Sequence, residues 1–183
     1  AGNTDVFVTK LNSSGVHQWT TTFGAAGPNA VDRGYGVAVD GSGNVHVTGH
    51  FSGTVNFGAG NVTAAGGPDV FVTKLNSSGV HQWTTTFGGS DGAATYSRQV
   101  AVDGSGNVHV TGYFDGTVDF GAGDVASAGD YDAFVTKLNS SGAHQWTTTF
   151  GGTGDATYSR QVAVDGSGNV HVTGYFDGTV DFG

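Results

Sequence analysis

Cysteine, methionine and glutamate are absent from this chain, and its 183 residues include only two prolines and three leucines. Without cysteine there is no disulfide framework and no thiolate metal site, and the redox compartment leaves no mark on the sequence. The scarcity of helix formers beside 34 glycines argues against helices and for many short strands joined by tight turns. Basic residues are also few: six against fifteen aspartates, for a formal charge of −9. Such a surface repels a phosphate backbone, so no nucleic-acid partner is expected. No apolar run approaches the roughly 18 residues needed to cross a bilayer, and membrane insertion is not expected either. The opening residues, AGNTDVF, lack the charged, apolar and small-residue segments of a secretory signal. With no initiator methionine, the chain is expected to be a mature fragment or a trimmed piece.

What the chain has instead is repetition. DVFVTKLNSSGVHQWTTTFG begins at Asp5 and at Asp69 and returns as DAFVTKLNSSGAHQWTTTFG at Asp132, while VAVDGSGNVHVTG begins at Val37, Val100 and Val162. The three tryptophans, Trp19, Trp83 and Trp146, are spaced by 64 and 63 residues. Self-similarity at this period marks an array of supersecondary units, none of which buries its apolar faces alone. The whole of 1–183 reads as one repeat domain, with repeats at 5–68, 69–131 and 132–183.

Within a repeat the patterning is period-2. In VFVTKL, Val70, Val72 and Lys74 share one face and Phe71, Thr73 and Leu75 the other; in HQWTTTF, His81, Trp83, Thr85 and Phe87 share a face. The turn Asn76-Ser77-Ser78-Gly79 joins them as a hairpin, and Gly104-Ser105-Gly106-Asn107 joins a second hairpin, QVAVD to VHVTGYF. The glycine-rich connection from Phe114 to Tyr131 is expected to hold a short strand of its own. Four antiparallel strands recurring as a unit predict an all-β fold of β-propeller blades, in which neighbours cover both faces of every blade and only short edges remain. A parallel β-helix would want a shorter period, and a sandwich would not need three near-identical units.

The series DVFVTKLNSSG, HQWTTTFGG, VAVDGSGNVHVTGYF resembles the SBBP-type β-propeller repeat of secreted or surface bacterial proteins. His46, His109 and His171 stand where that family more usually has tyrosine. The resemblance implies an extracellular or cell-surface location. It also implies a phase: VAVD and NVHVTG form the inner pair of a blade, VFVTKL and HQWTTTF the outer pair. The chain then begins with an outer half-blade (5–23), holds two whole blades (37–87 and 100–150) and ends with an inner half-blade (162–183). Three blade-equivalents are too few to close a ring, since propellers typically have four to eight blades. Open half-blades would expose unpaired strand edges, so closure is expected by homo-oligomerisation, head to tail. A homodimer with six blades is favoured, and a homotrimer with nine is the second choice.

Candidates for chemistry compete with plain structural roles. The DGSGN segments at Asp40, Asp103 and Asp165 imitate the start of a calcium loop, but its twelfth position holds Phe51, Phe114 or Phe176 instead of a carboxylate. Asp and Asn beside glycine are what a tight turn needs. Calcium remains a weak candidate at Asp115, Asp119 and Asp124, echoed by Asp177 and Asp181, although the first repeat has Ser52, Asn56 and Asn61 there. No other cofactor is expected. His17, His81, His144 and His46, His109, His171 are locked to the repeat and read as packed strand residues; His50 is the exception, where later repeats have Tyr113 and Tyr175. No G-x-S-x-G elbow is present. An active site would break the repeat symmetry, yet the second and third repeats are nearly identical, so no enzyme is expected. Copying by recent duplication or by design would also preserve every residue whatever its use.

The leading expectation is a non-catalytic propeller scaffold or interaction module, a fragment or a designed symmetric version of such a protein. The alternative is a carbohydrate-binding propeller with glycans as partners and one shallow site per blade. Its sites would be formed by His17, Gln18 and Trp19; by His81, Gln82, Trp83 and Tyr113; and by His144, Gln145, Trp146 and Tyr175. That alternative requires exposed tryptophans.

Overall fold

The computed structural model describes residues 4–27 and 30–183. Residues 1–3, the start of the segment read above for a signal, and residues 28–29 of the first repeat lie outside the described residues. Alternating β-branched and aromatic residues make sixteen strands, and the described residues contain no helix. In chain order they are β1 (Val6–Leu11), β2 (His17–Phe23), β3 (Arg33–Val39), β4 (Val45–Phe51), β5 (Thr54–Asn56), β6 (Asn61–Thr63), β7 (Asp69–Leu75) and β8 (His81–Phe87). There follow β9 (Thr95–Val102), β10 (Val108–Phe114), β11 (Thr117–Asp119), β12 (Asp124–Ala126), β13 (Asp132–Leu138), β14 (His144–Phe150), β15 (Thr157–Val164) and β16 (Val170–Phe176).

Strands β3-β4-β7-β8 and β9-β10-β13-β14 form two four-stranded antiparallel sheets, the blades. Strands β1-β2 and β15-β16 are separate two-stranded sheets at the ends. The hairpins close on side-chain oxygens. Asn76 Oδ1 accepts hydrogen bonds from the N–H groups of Ser78 and Val80, both at 3.0 Å, and Gly79 supplies the left-handed φ of +81° that the turn requires. Each glycine-rich connection carries two short strands, one more than expected: β5 pairs with β6 and β11 with β12. The turn between them is again an Asx turn. Asn56 Oδ1 accepts from the N–H of Gly58 at 2.8 Å, and Asp119 Oδ1 does the same from Gly121 at 2.7 Å.

Both faces of a blade strand are buried because each feeds a different core. Phe71 and Leu75 of β7 pack with Val6, Val8, Phe23, Phe51 and Phe57 on one side. Val70 and Val72 of the same strand pack with Phe87, Val100, Val110, Phe114 and Phe120 on the other. The cores therefore lie between blades, which explains why a strand reading as apolar on both sides stays out of water. A β-bulge recurs once in every inner pair, in β3, β9 and β15, with register shifts at Gly34/Gly36, Thr111/Gly112 and Ser159/Gln161. Beside the bulge, Gly112 lies so close to its neighbour strand that a Cβ there would meet the carbonyl oxygen of Tyr96 at 1.9 Å and the Phe134 ring at 2.8 Å.

Candidate functional site

The two end hairpins expose what every internal hairpin buries. In the blades β7 pairs on both sides, with β4 and β8, and β10 pairs with β9 and β13. Their counterparts β1 and β16 each pair on one side only. Phe7 is 70% exposed and Leu11 54%, whereas Phe71, Phe134, Leu75 and Leu138 at the same repeat positions are at 0%. At the other end Phe176 is 49% exposed and Phe182 58%, against 0% for Phe114 and 1% for Phe120. Each fully buried Phe stabilises by about 2–3 kcal/mol relative to an exposed one, so these four side chains leave a large apolar gain unrealised. Two grooves mark the uncovered sides. One lies between Thr4–Thr9 and Asp32–Val37, and the other between Phe150, Val172–Phe176 and Phe182.

The seam between adjacent units shows what such an end would accept. Trp19 donates its indole N–H to Ser77 O of the next blade at 3.1 Å, and Trp83 donates to Ser140 O at 3.2 Å. Each indole lies flat over the turn glycine it reaches: a Cβ on Gly79 would stand 2.8 Å from the Trp19 ring, and one on Gly142 2.8 Å from Trp83. Thr21 and Thr85 hydroxyls add bonds to the carbonyls of Gly79 (3.0 Å) and Gly142 (2.7 Å). Two members of this series are left over. Trp146 has no next turn and is 37% exposed, and Gly15, the third turn glycine, has nothing within 4 Å of its Cβ position.

Along the far end of the inner pair in both whole blades runs a histidine–aspartate–lysine row, and the end pair β15-β16 keeps only its aspartate and histidine, Asp165 and His171. Asp40 Oδ2 is 2.8 Å from Asn44 Nδ2, 3.4 Å from His46 Nε2 and 3.5 Å from Lys74 Nζ. Burial alone would raise the Asp40 carboxyl, but the Asn44 amide, the N–H groups of Asn44 and Ser42, and His46 outweigh it and hold it well below the usual carboxylate range. Burial pushes His46 down, against partial support from Asp40, so its neutral ring donates to the carboxylate. Asp103, His109 and Lys137 repeat the arrangement, with distances of 3.6 and 3.8 Å to Asp103 Oδ2. The DGSGN aspartates thus serve as turn acceptors and strand-row anchors. Among the described residues no group of three His, Cys, Asp or Glu side chains stands close enough to hold a metal ion.

The residues expected to form shallow sugar sites are already engaged locally. His17, His81 and His144 bond the hydroxyls of Thr20, Thr84 and Thr147 at 2.9–3.0 Å. Gln82 donates to Val80 O and His81 O of its own strand, and Gln18 and Gln145 do likewise. Trp83 reaches Ser140 just beyond the Leu138 end of β13, whereas Tyr113 pairs with Ala133 near the opposite end of that strand. Five residues of strand, about 16 Å, separate Ala133 from Leu138, so the structure does not bring Trp83 and Tyr113 into one pocket. Tyr175 is 49% exposed at the C-terminal end hairpin. Reading individual residues missed Phe7, Leu11, Phe176, Phe182 and Gly15; their only signal was the phase that leaves them in half-blades.

Comparison with known proteins agrees with this architecture. Residues 18–50 and 145–179 match the model of the SBBP β-propeller repeat. Both segments start in a tryptophan-bearing strand and run into the inner hairpin that follows. An uncharacterised WD repeat-containing protein of Acanthamoeba polyphaga mimivirus is 29% identical over 135 residues, covering 66% of this chain and 9% of that protein. The chain therefore spans under a tenth of that relative's length.

Proposed function

The chain carries SBBP-type β-propeller repeats, and on that footing we propose that it is a non-catalytic propeller scaffold that assembles head to tail through its half-blades. The inner pair β15-β16 of one copy joins the outer pair β1-β2 of another to complete a blade. The observation that supports this best is the complementarity of the leftovers: exposed Phe7 and Leu11 at one end, exposed Phe176 and Phe182 at the other, and Trp146 facing a bare Gly15. In the register shared by both whole blades, β16 Gly174 stands opposite Phe7, as Gly49 opposes Phe71 and Gly112 opposes Phe134. Phe7 then packs on Phe182 of the second copy, as Phe71 packs on Phe57 and Phe134 on Phe120, both at 5.0 Å.

Such a contact is heterologous and must close into a ring to avoid a filament. Two copies close six blades. A charge in the seam should open it: Phe7→Asp converts the assembly to single chains that keep their β-sheet circular dichroism, because Phe7 contributes little to the cores within one chain. An assembly whose mass is unchanged by Phe7→Asp would rule this seam out.

A further inference from the structure

The bulges in β3, β9 and β15 also re-aim one side chain per repeat out of the ladder. Arg98 is such a residue. Its guanidinium lies over the rings of Tyr35, at 4.8 Å, and Tyr113, at 5.0 Å, and donates to the Tyr113 hydroxyl. Around it, between the first and second whole blades, opens a cleft of about 380 Å³ lined by Arg33, Tyr35, His50, Tyr96, Arg98 and Tyr113 among others.

Two of the chain's three arginines converge there, and no lining residue is acidic. Among the described residues neither guanidinium is ion-paired with a carboxylate. The nearby acids are committed elsewhere. Asp32 accepts from the N–H groups of Ala25 and Ser52 at 2.7 and 3.1 Å, and Asp115 accepts from Ala94 N. Two buried polar atoms on the wall have no partner, Arg98 Nε and Nδ1 of the 5%-exposed His50. In a molecule of charge −9 this is a local island of positive potential. Burial first, and then the charges of Arg33 and Arg98, hold His50 down to about 4.

The same place in the next interface is closed. There Tyr113 replaces His50 and Tyr131 replaces Pro68, and the Tyr131 ring fills the space, 5.4 Å from Tyr113 and 5.6 Å from Tyr158. The cleft therefore exists where the repeat symmetry breaks. A symmetric scaffold has no use for an exchange that removes two edge-to-face tyrosines beside a guanidinium Nε and an imidazole Nδ1 left without partners.

We propose that this cleft binds a small carboxylate carried on a ring, a hexuronic acid residue being the type. The Arg98 and Arg33 forks take the carboxylate, the tyrosine faces take the ring, and the tyrosine hydroxyls with His50 Nδ1 take its hydroxyl groups. The cleft lies wholly within one chain, so it stands whether or not the ring closes.

Calorimetric titration of the full chain with glucuronate and, separately, with glucose tests this. Saturable binding of glucuronate at one per chain is expected, with no binding of glucose at the same concentration. Arg98→Gln should weaken glucuronate at least about tenfold. So should the double variant His50→Tyr with Pro68→Tyr, which places at these two positions the tyrosines that the second interface carries at 113 and 131. The double variant decides the matter if Arg98→Gln does not fold. No saturation by glucuronate at concentrations on the order of 10 mM, equal binding of glucose, or binding unaffected by the filled cleft would each overturn the proposal.

Discussion

At the residue scale, the histidines that could have been ligands are largely blade residues, and their burial has a measurable consequence. His46 is at 0% exposure, His109 at 1% and His50 at 5%. Burial and the two arginines lower His50 from 6.5 to about 4, so between those pH values the unfolded chain binds a proton that the folded chain refuses. The stability linked to His50 is complete above pH 6.5 and is lost as the pH falls to 4, a span of about 3 kcal/mol for the full shift. Asp69 works in the opposite sense. Burial, softened by the Ala65 N–H, raises it to about 6, so its contribution is present below pH 4 and lost as the pH rises to 6. Melting curves from pH 4 to 7 should show His50→Tyr with a flatter acid limb than the parent; an identical slope would mean His50 is not desolvated. That His46 and His109 pack was legible in the sequence, because they alternate with valines in a strand, whereas the expected packing fails at His17 and His171, which are exposed on the end hairpins. The exceptional setting of His50 was visible only as a break in the repeat, since Arg98 and Tyr96, which join Arg33 and Tyr35 around it, come from another blade.

At the level of elements, hairpins were legible because turn chemistry and period-2 patterning agree, as in VFVTKL-NSSG and VAVD-GSGN. The bulges were not. A one-residue slip in the ladder leaves no signature beyond a glycine, and Gly112 looked like any other until its carbonyl neighbours were placed. Gly112→Ala should therefore cost more than about 3 kcal/mol, read as a large drop in the denaturant midpoint, whereas a mild effect would mean that the strand can shift. The second strand of each connection was also missed, three residues being too short for a periodic signal. Asp119 and Asn56 make the same Asx turn, so Asp119→Asn should leave the melting temperature within about 2 °C. A calcium-dependent difference between that variant and its parent would restore the metal reading of the acidic loop.

Across the whole molecule, neighbouring units hold each other through tryptophan, glycine and phenylalanine contacts that repeat twice and then run out. Trp83→Ala removes an internal seam and should destabilise the chain by about 2 kcal/mol, measured by denaturant unfolding. Trp146 lacks the turn bond that Trp83 makes but keeps a ring contact with His109 at 6.0 Å, so Trp146→Ala should weaken the proposed assembly and destabilise the separated chain less than Trp83→Ala does; an assembly mass unchanged by Trp146→Ala would mean that Trp146 has no seam to make. The half-blade arrangement explains why the SBBP-type repeat matches segments that straddle blades, from a tryptophan strand into the following inner hairpin. What the sequence could not convey was the extent of exposure at Phe7 and Phe182, because it depends on which neighbouring strands the end hairpins lack. The most direct test is the absolute mass in solution by size exclusion with light scattering. Head-to-tail closure of six blades predicts twice 18.4 kDa at all dilutions where the protein stays folded, and a folded, monodisperse species of 18.4 kDa would contradict it.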